Sequence, residues 1–180
     1  MMTKTTRVAE ETEVPKGVSA EFHDPVLTVK GPQGTLKRTF FHPRIKMTVA
    51  KGNITVETRM ASLREKALVG TWVAHARNMI RGVQQPFTYR MKAVYAHFPV
   101  KMTLKGNELL IENFLGERHP RRAVILGGTK VTIKGQELEL VSPSLEEVGQ
   151  TAANIENATR IRNRDPRVFQ DGIFITSKGE

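Results

Sequence analysis

The chain has 180 residues, 39% of them apolar, enough for one or two cored domains and too many for a disordered tail. With 28 Lys and Arg against 18 Asp and Glu the net charge is +10, which favours phosphate-bearing partners, nucleic acid ahead of an anionic membrane surface. Cys is absent, excluding disulfides, thiol nucleophiles and Cys-ligated metal, and no apolar run approaches the ~18 residues of a membrane span; a soluble, intracellular protein with no membrane partner is expected.

Residues 1–16 hold Glu10, Glu11 and Glu13 before Pro15 and read as a polar lead-in. A phrase then recurs four times: Thr28-Val29-Lys30-Gly31, Thr48-Val49-Ala50-Lys51-Gly52, Thr103-Leu104-Lys105-Gly106 and Thr132-Ile133-Lys134-Gly135. Each ends an alternating stretch, as where Val100, Met102 and Leu104 alternate with Lys101, Thr103 and Lys105. Each is therefore a half-buried strand entering a glycine turn, with second strands at Ile54 and Val56 and at Leu138 and Leu140. Gly31-Pro32-Gln33-Gly34 resembles a phosphate loop only superficially. It lies between two strands and lacks the Gly-Lys-[Ser/Thr] ending, so a tight hairpin is expected.

Two helices follow the hairpins. Ser62-Leu63-Arg64-Glu65 and Ser144-Leu145-Glu146-Glu147 both fit a capping box. Behind the first run Leu68, Trp72, Ala76, Met79, Ile80 and Val83, and behind the second Leu145, Val148, Ala152 and Ile155, each an apolar stripe at helical spacing. Val18-Ser19-Ala20-Glu21-Phe22 and Val94-Tyr95-Ala96-His97-Phe98 match as the starts of the two halves. The reading is an α+β fold: two tandem copies of a small antiparallel sheet with one packed helix, residues 1–83 and 84–158, and a C-terminal arm, 159–180.

No catalytic constellation is present. His23, His42, His75, His97 and His119 are scattered without metal-ligand spacing, and Glu146 and Glu147 sit where a helix start favours carboxylates. What remains is charge. Arg118, Arg121, Arg122, Lys130 and Lys134 face only Glu117 between positions 117 and 134. Arg160, Arg162 and Arg164 then alternate at strand spacing; in an extended segment they would share a face at ~6.6 Å intervals and track successive phosphates. Asn163 and the Asp165-Pro166 step argue against a helix there. Aromatics are only 6% and no DNA-reading motif is visible, so folded RNA, read through shape and phosphate, is the expected ligand.

Six phrases in order carry a family resemblance. They are Gly31-Pro32-Gln33-Gly34 with Arg38-Thr39-Phe40, Asn78-Met79-Ile80-Arg81-Gly82-Val83, Tyr95-Ala96-His97-Phe98-Pro99, Asn113-Phe114-Leu115-Gly116-Glu117, Gln150-Thr151-Ala152-Ala153-Asn154-Ile155, and Arg167-Val168-Phe169-Gln170-Asp171-Gly172-Ile173-Phe174-Ile175. Together they resemble the L-six family of large-subunit ribosomal proteins over nearly the whole chain, in its archaeal and eukaryotic form, with an archaeal source expected.

The resemblance implies two copies of one α+β domain and a non-catalytic, cytoplasmic protein of the ribosome. It implies contact with large-subunit ribosomal RNA near the sarcin–ricin loop and the stalk base, beside neighbouring large-subunit proteins and docking translational GTPases. It carries over the loop Asn113 to Arg122 and the arm Arg160 to Lys178, the arm being ordered by RNA. Charge then selects the candidate RNA contacts: Lys101, Lys105, Asn113, Arg118, His119, Arg121 and Arg122, and in the arm Arg160, Arg162, Arg164, Arg167 and Lys178. No cofactor or metal is expected. A free-standing RNA-binding regulator or chaperone is the competing class, and an RNA-processing enzyme is disfavoured by the missing acid–base pair.

Overall fold

A computed structural model describes residues 5–50, 52–165 and 167–179. Met1–Lys4, Lys51, Pro166 and Glu180 lie outside the described residues, among them the start of the lead-in, one residue of the second repeated phrase and the proline of the Asp165-Pro166 step. The chain divides into two compact units, Met1–Pro86 and Phe87–Glu180.

In the first unit six strands precede one helix: β1 (Thr5–Glu13), β2 (Ser19–His23), β3 (Val26–Gly31), β4 (Gly34–Thr39), β5 (Ile45–Ala50), β6 (Asn53–Ala61) and α1 (Leu63–Gln84). All pairings are antiparallel, and the strands divide into two sheets, β1-β6-β5 and β2-β3-β4. The second unit repeats this order with β7 (Phe87–Val94), β8 (Lys101–Lys105), β9 (Glu108–Glu112), β10 (Arg121–Val124), β11 (Lys130–Lys134), β12 (Glu137–Ser142) and α2 (Leu145–Ala158). Its sheets are β10-β9-β8 and β11-β12-β7, the latter extended by β13 (Gly172–Ser177). The class is α+β with repeated sheet–helix units.

The duplication refines the sequence reading in two places. Three of the four repeated phrases end in a glycine at positive φ, Gly52 (81°), Gly106 (60°) and Gly135 (62°), where a side chain would be strained. The phrases at 48–52 and 132–135 occupy equivalent hairpins, β5–β6 and β11–β12. Those at 28–31 and 103–106 do not: the first enters the second hairpin of its three-stranded sheet and the other the first. Likewise Ser19–His23 is strand β2, whereas 95–98 is loop ahead of β8, so the Val-x-Ala-x-Phe match joins non-equivalent segments. Short alternating phrases repeat because hairpins share a code, whatever their place in the topology.

Each helix covers both sheets of its own unit, so it buries a wide face. On α1, Val69 and Val73 are buried beside Trp72, Ala76, Met79, Ile80 and Val83, while Leu68 is half-buried, so the expected stripe was too narrow. These residues meet Leu27, Val29, Phe40, Ile54 and Val56, and the Phe40 and Trp72 ring centroids stand 5.2 Å apart. The Gly31-Pro32-Gln33-Gly34 turn closes on the end of this helix. The Gln33 N–H donates to the Val83 carbonyl at 2.9 Å, and a Cβ at Gly31 would stand 2.8 Å from the Val83 side chain. The apparent phosphate loop is a hairpin that caps a helix C-terminus.

The helix starts differ. At α1 the capping box is complete: Ser62 Oγ accepts the Glu65 N–H and Glu65 accepts the Ser62 N–H at 2.7 Å, with Arg44 Nη1 also donating to Glu65 at 3.2 Å. At α2, Ser144 Oγ accepts the Glu147 N–H, but the reciprocal bond is absent. Ser142 Oγ accepts the Ser144 N–H instead, which releases the Glu147 carboxylate to take the Gly128 N–H and the Ser142 hydroxyl. The expected second capping box is therefore half formed, and Glu147 ties the β10–β11 loop to the helix.

Glu65 yields a pH prediction. The Ser62 backbone and side-chain bonds, with Arg44 beside them, hold its carboxyl below the usual carboxylate range. A depressed folded-state pKa contributes stability that is present above the ordinary glutamate value and lost as pH falls through the folded one. Glu65→Gln should lower the urea midpoint near neutral pH, and the gap to the wild type should close as the solution is acidified. A gap constant down to pH 2 would contradict this.

The C-terminal residues depart from the expected arm. Gly172–Ser177 pairs antiparallel with β7, Ile173 is fully buried among Phe87, Met91, Leu140 and Ile155, and its N–H donates to the Thr159 hydroxyl at 3.0 Å. The last strand is thus part of the second unit's core. Among the described residues no helix is long and apolar enough to cross a membrane.

Candidate nucleic-acid interface

The candidate residues all belong to the second unit, and one arginine organises most of them. In the first unit β3 and β4 are joined by two residues; the equivalent connection between β9 and β10 is the longer loop 113–120. Asn113 (φ 60°), Leu115 (φ 51°) and Gly116 (φ 74°) are all left-handed, folding the loop into a tight 3₁₀ turn over the buried Phe114 ring. The Asn113 side-chain amide donates to the Pro99 carbonyl at 3.1 Å, so the loop is anchored at its start.

Arg121, at the start of β10, anchors the other end. Its Nε and Nη2 donate to the two Glu117 oxygens at 2.8 and 2.6 Å, and Nη1 donates to the Ala158 and Arg160 carbonyls at 3.0 and 3.1 Å. The guanidinium lies 4.3 Å from the Phe114 ring centroid. Four of its five N–H donors are thereby used within the chain. The Arg121 hydrogen bond foremost, with the charges of Arg121 and Arg164, holds the Glu117 carboxyl below the usual range. Arg121 is a structural link joining loop 113–120, β10 and the segment after α2. Arg121 and Asn113, both expected among the RNA contacts, thus also have partners within the chain.

The segment after α2 is not the extended row the spacing suggested. Residues 160–165 form no strand, and Asn163 adopts φ 59°, a left-handed turn that breaks the alternation between Arg162 and Arg164. Arg164 stacks on Phe169, 4.8 Å from the ring centroid, while Asp165 accepts backbone N–H bonds from Arg167, Val168 and Phe169. The arginines therefore line a folded loop. Arg118 and His119 are exposed on loop 113–120, and Arg160, Arg162, Arg164 and Arg167 on this one; the Arg121 bonds bring the two loops together.

Other candidates stand apart. Lys101 pairs with Glu112 at 3.7 Å and Arg122 with Glu108 at 4.0 Å, exposed ion pairs across the strands of the β10-β9-β8 sheet. Lys105 is exposed at the far end of β8. Lys178 follows β13, whose length, about 20 Å, separates it from the arginine loop. Among the described residues no group of His, Asp and Glu could hold a metal ion.

The family model for ribosomal protein L6 matches residues 14–86 and 98–172, one segment in each unit. Large ribosomal subunit protein uL6 of Methanosarcina mazei is 47% identical over 171 residues, 95% of this chain and 97% of its own. The proteins of the same name from Methanocella arvoryzae and Archaeoglobus fulgidus are 49% and 45% identical, over 93% and 97% of this chain and 96% and 92% of theirs. With both repeats matched, and with identity close to one half along nearly the full length of archaeal relatives, the chain belongs to the ribosomal protein L6 family.

Proposed function

We propose that this protein is a structural constituent of the large ribosomal subunit, cytoplasmic and non-catalytic, and that its second unit holds ribosomal RNA close to the sarcin–ricin loop and the stalk base. Neighbouring large-subunit proteins and docking translational GTPases are the partners this position implies. The observation that carries the reading is the pair of loops joined by Arg121, which present Arg118, His119, Arg160, Arg162, Arg164 and Arg167 from one folded support. A phosphate backbone is bound by charges already in place, so little ordering entropy opposes docking.

Full-length protein binding large-subunit RNA should show log affinity falling with log salt at a slope of magnitude well above two, each neutralised phosphate contributing ~0.7 to 0.9. Changing Arg160, Arg162 and Arg164 together to Ala should reduce that slope by about two. Removing Lys16, Lys37 and Lys66, exposed in the first unit, should leave it alone. Equal loss of slope in both triple variants would refute the assignment to the second unit. Sedimentation of cell extract separates this reading from a free-standing regulator, since a ribosomal constituent travels almost wholly with large subunits.

A further inference from the structure

The connection between the two sheets of a unit occurs twice, as residues 40–44 between β4 and β5 and as residues 125–129 between β10 and β11. The two begin alike. The Phe40 N–H donates to the Pro25 carbonyl at 2.8 Å and the Ile125 N–H to the Asn107 carbonyl at 2.8 Å, and both side chains are buried. They then diverge. In the second unit Gly127 and Gly128 allow the loop to close on α2: the Leu126 N–H donates to the Thr151 hydroxyl at 3.0 Å, and a Cβ at Gly127 would collide with the Glu147 carboxyl. In the first unit His42 and Pro43 take the places of those glycines. Phe41, the counterpart of Leu126, is left 77% exposed against 36%, the most exposed large apolar side chain among the described residues.

Phe41 lines a groove of about 480 Å³ together with the buried Phe40, Met47 and Trp72 and the half-buried Phe22. Its charged lining is Asp24, Lys46 and Glu57, and Glu57 already pairs with Arg7. The unit around it carries 14 Lys and Arg against seven Asp and Glu, so the groove is a place where the basic excess is missing. A phosphate there would meet two carboxylates and one ammonium, the reverse of what RNA binding needs. Aromatic side chains with few charges are instead the composition of a protein–protein contact at its centre.

We propose that this groove takes an aliphatic or aromatic side chain of a neighbouring large-subunit protein, packed against Phe41. The first unit then docks on protein where the second docks on RNA. This rests on the reading that the chain is a constituent of the large subunit. A second copy of the chain is a poorer occupant, because it would bring two molecules of net charge +10 together.

The test uses full-length protein with p-benzoylphenylalanine in place of Phe41, incorporated into large subunits in cells; the purified subunits are then irradiated. The cross-link should fall on an apolar segment of one other large-subunit protein. In cells making both forms, wild type should exclude Phe41→Asp from large subunits about tenfold, since burial of one large apolar side chain is worth at least that factor. Phe41→Asp should keep the wild-type urea midpoint, the ring being exposed, and the wild-type affinity and salt slope for a large-subunit RNA transcript. Phe41→Ala adds no charge and gives the same readouts if Phe41→Asp proves unstable. A cross-link to RNA, to a second copy of this chain or to nothing overturns the proposal, as does equal incorporation of both variants with wild type; the ribosomal reading then stands. Wild-type protein that does not sediment with large subunits overturns both.

Discussion

Replacing Arg121 with Ala should destabilise the second unit and cost more RNA affinity than the loss of any exposed arginine. The guanidinium holds a carboxylate through two bonds and two main-chain carbonyls that no other described residue is seen to serve. Charge-assisted bonds contribute ~1.5 to 3 kcal/mol each when well sheltered; the side chain is 22% exposed, and with Glu117 more open the total should be about 3 kcal/mol. Arg121→Lys should not rescue it, because an ammonium cannot bridge a carboxylate fork and two carbonyls from one plane. The measurements are the urea midpoint for unfolding of the second unit in the full-length protein and RNA affinity at fixed salt. If Arg121→Ala shifts affinity only as far as Arg162→Ala and leaves stability intact, Arg121 is a phosphate contact after all.

Trp72→Ala should have an equally large effect in the other unit. Trp72 is 8% exposed, packs on Phe40 and belongs to the first core with Leu27, Ile54, Val56 and Val73. Truncating so large a side chain leaves a cavity that sheets on two sides cannot collapse to fill, at a cost of ~3 to 5 kcal/mol. RNA affinity measured below the first unit's melting range should be unchanged, since the candidate contacts all lie beyond Phe87. Weakened binding with stability retained would make the Trp72 face a contact surface.

Much of this protein is determined by local codes that can be read one element at a time. Period-two alternation ending in Thr-Val-Lys-Gly marks strands and turns because side chains alternate across a half-buried sheet and glycine adopts positive φ without strain, as at Gly52 and Gly135. Ser62 and Glu65 announce α1 because the cap acts over three residues. The order of these elements, read twice, is sufficient for an α+β duplication, and the phrases that carry the family resemblance follow the same order.

Contacts between residues far apart in the chain were decided only by the tertiary structure. The division of each unit into two sheets widened the buried face of α1 to include Val69 and Val73. Strand β13 belongs to the core because β7 offers it an edge and Thr159 a hydroxyl, neither of which leaves a mark in residues 172–177. Evenly spaced arginines at 160, 162 and 164 promised an extended row, yet one left-handed residue, Asn163, turned it into a loop. Arg121 looked like the two arginines beside it, Arg118 and Arg122. Glu117 and the carbonyls of Ala158 and Arg160 distinguish it, and hydrogen-bond partners brought together by chain crossings have no periodicity from which a sequence could foretell them.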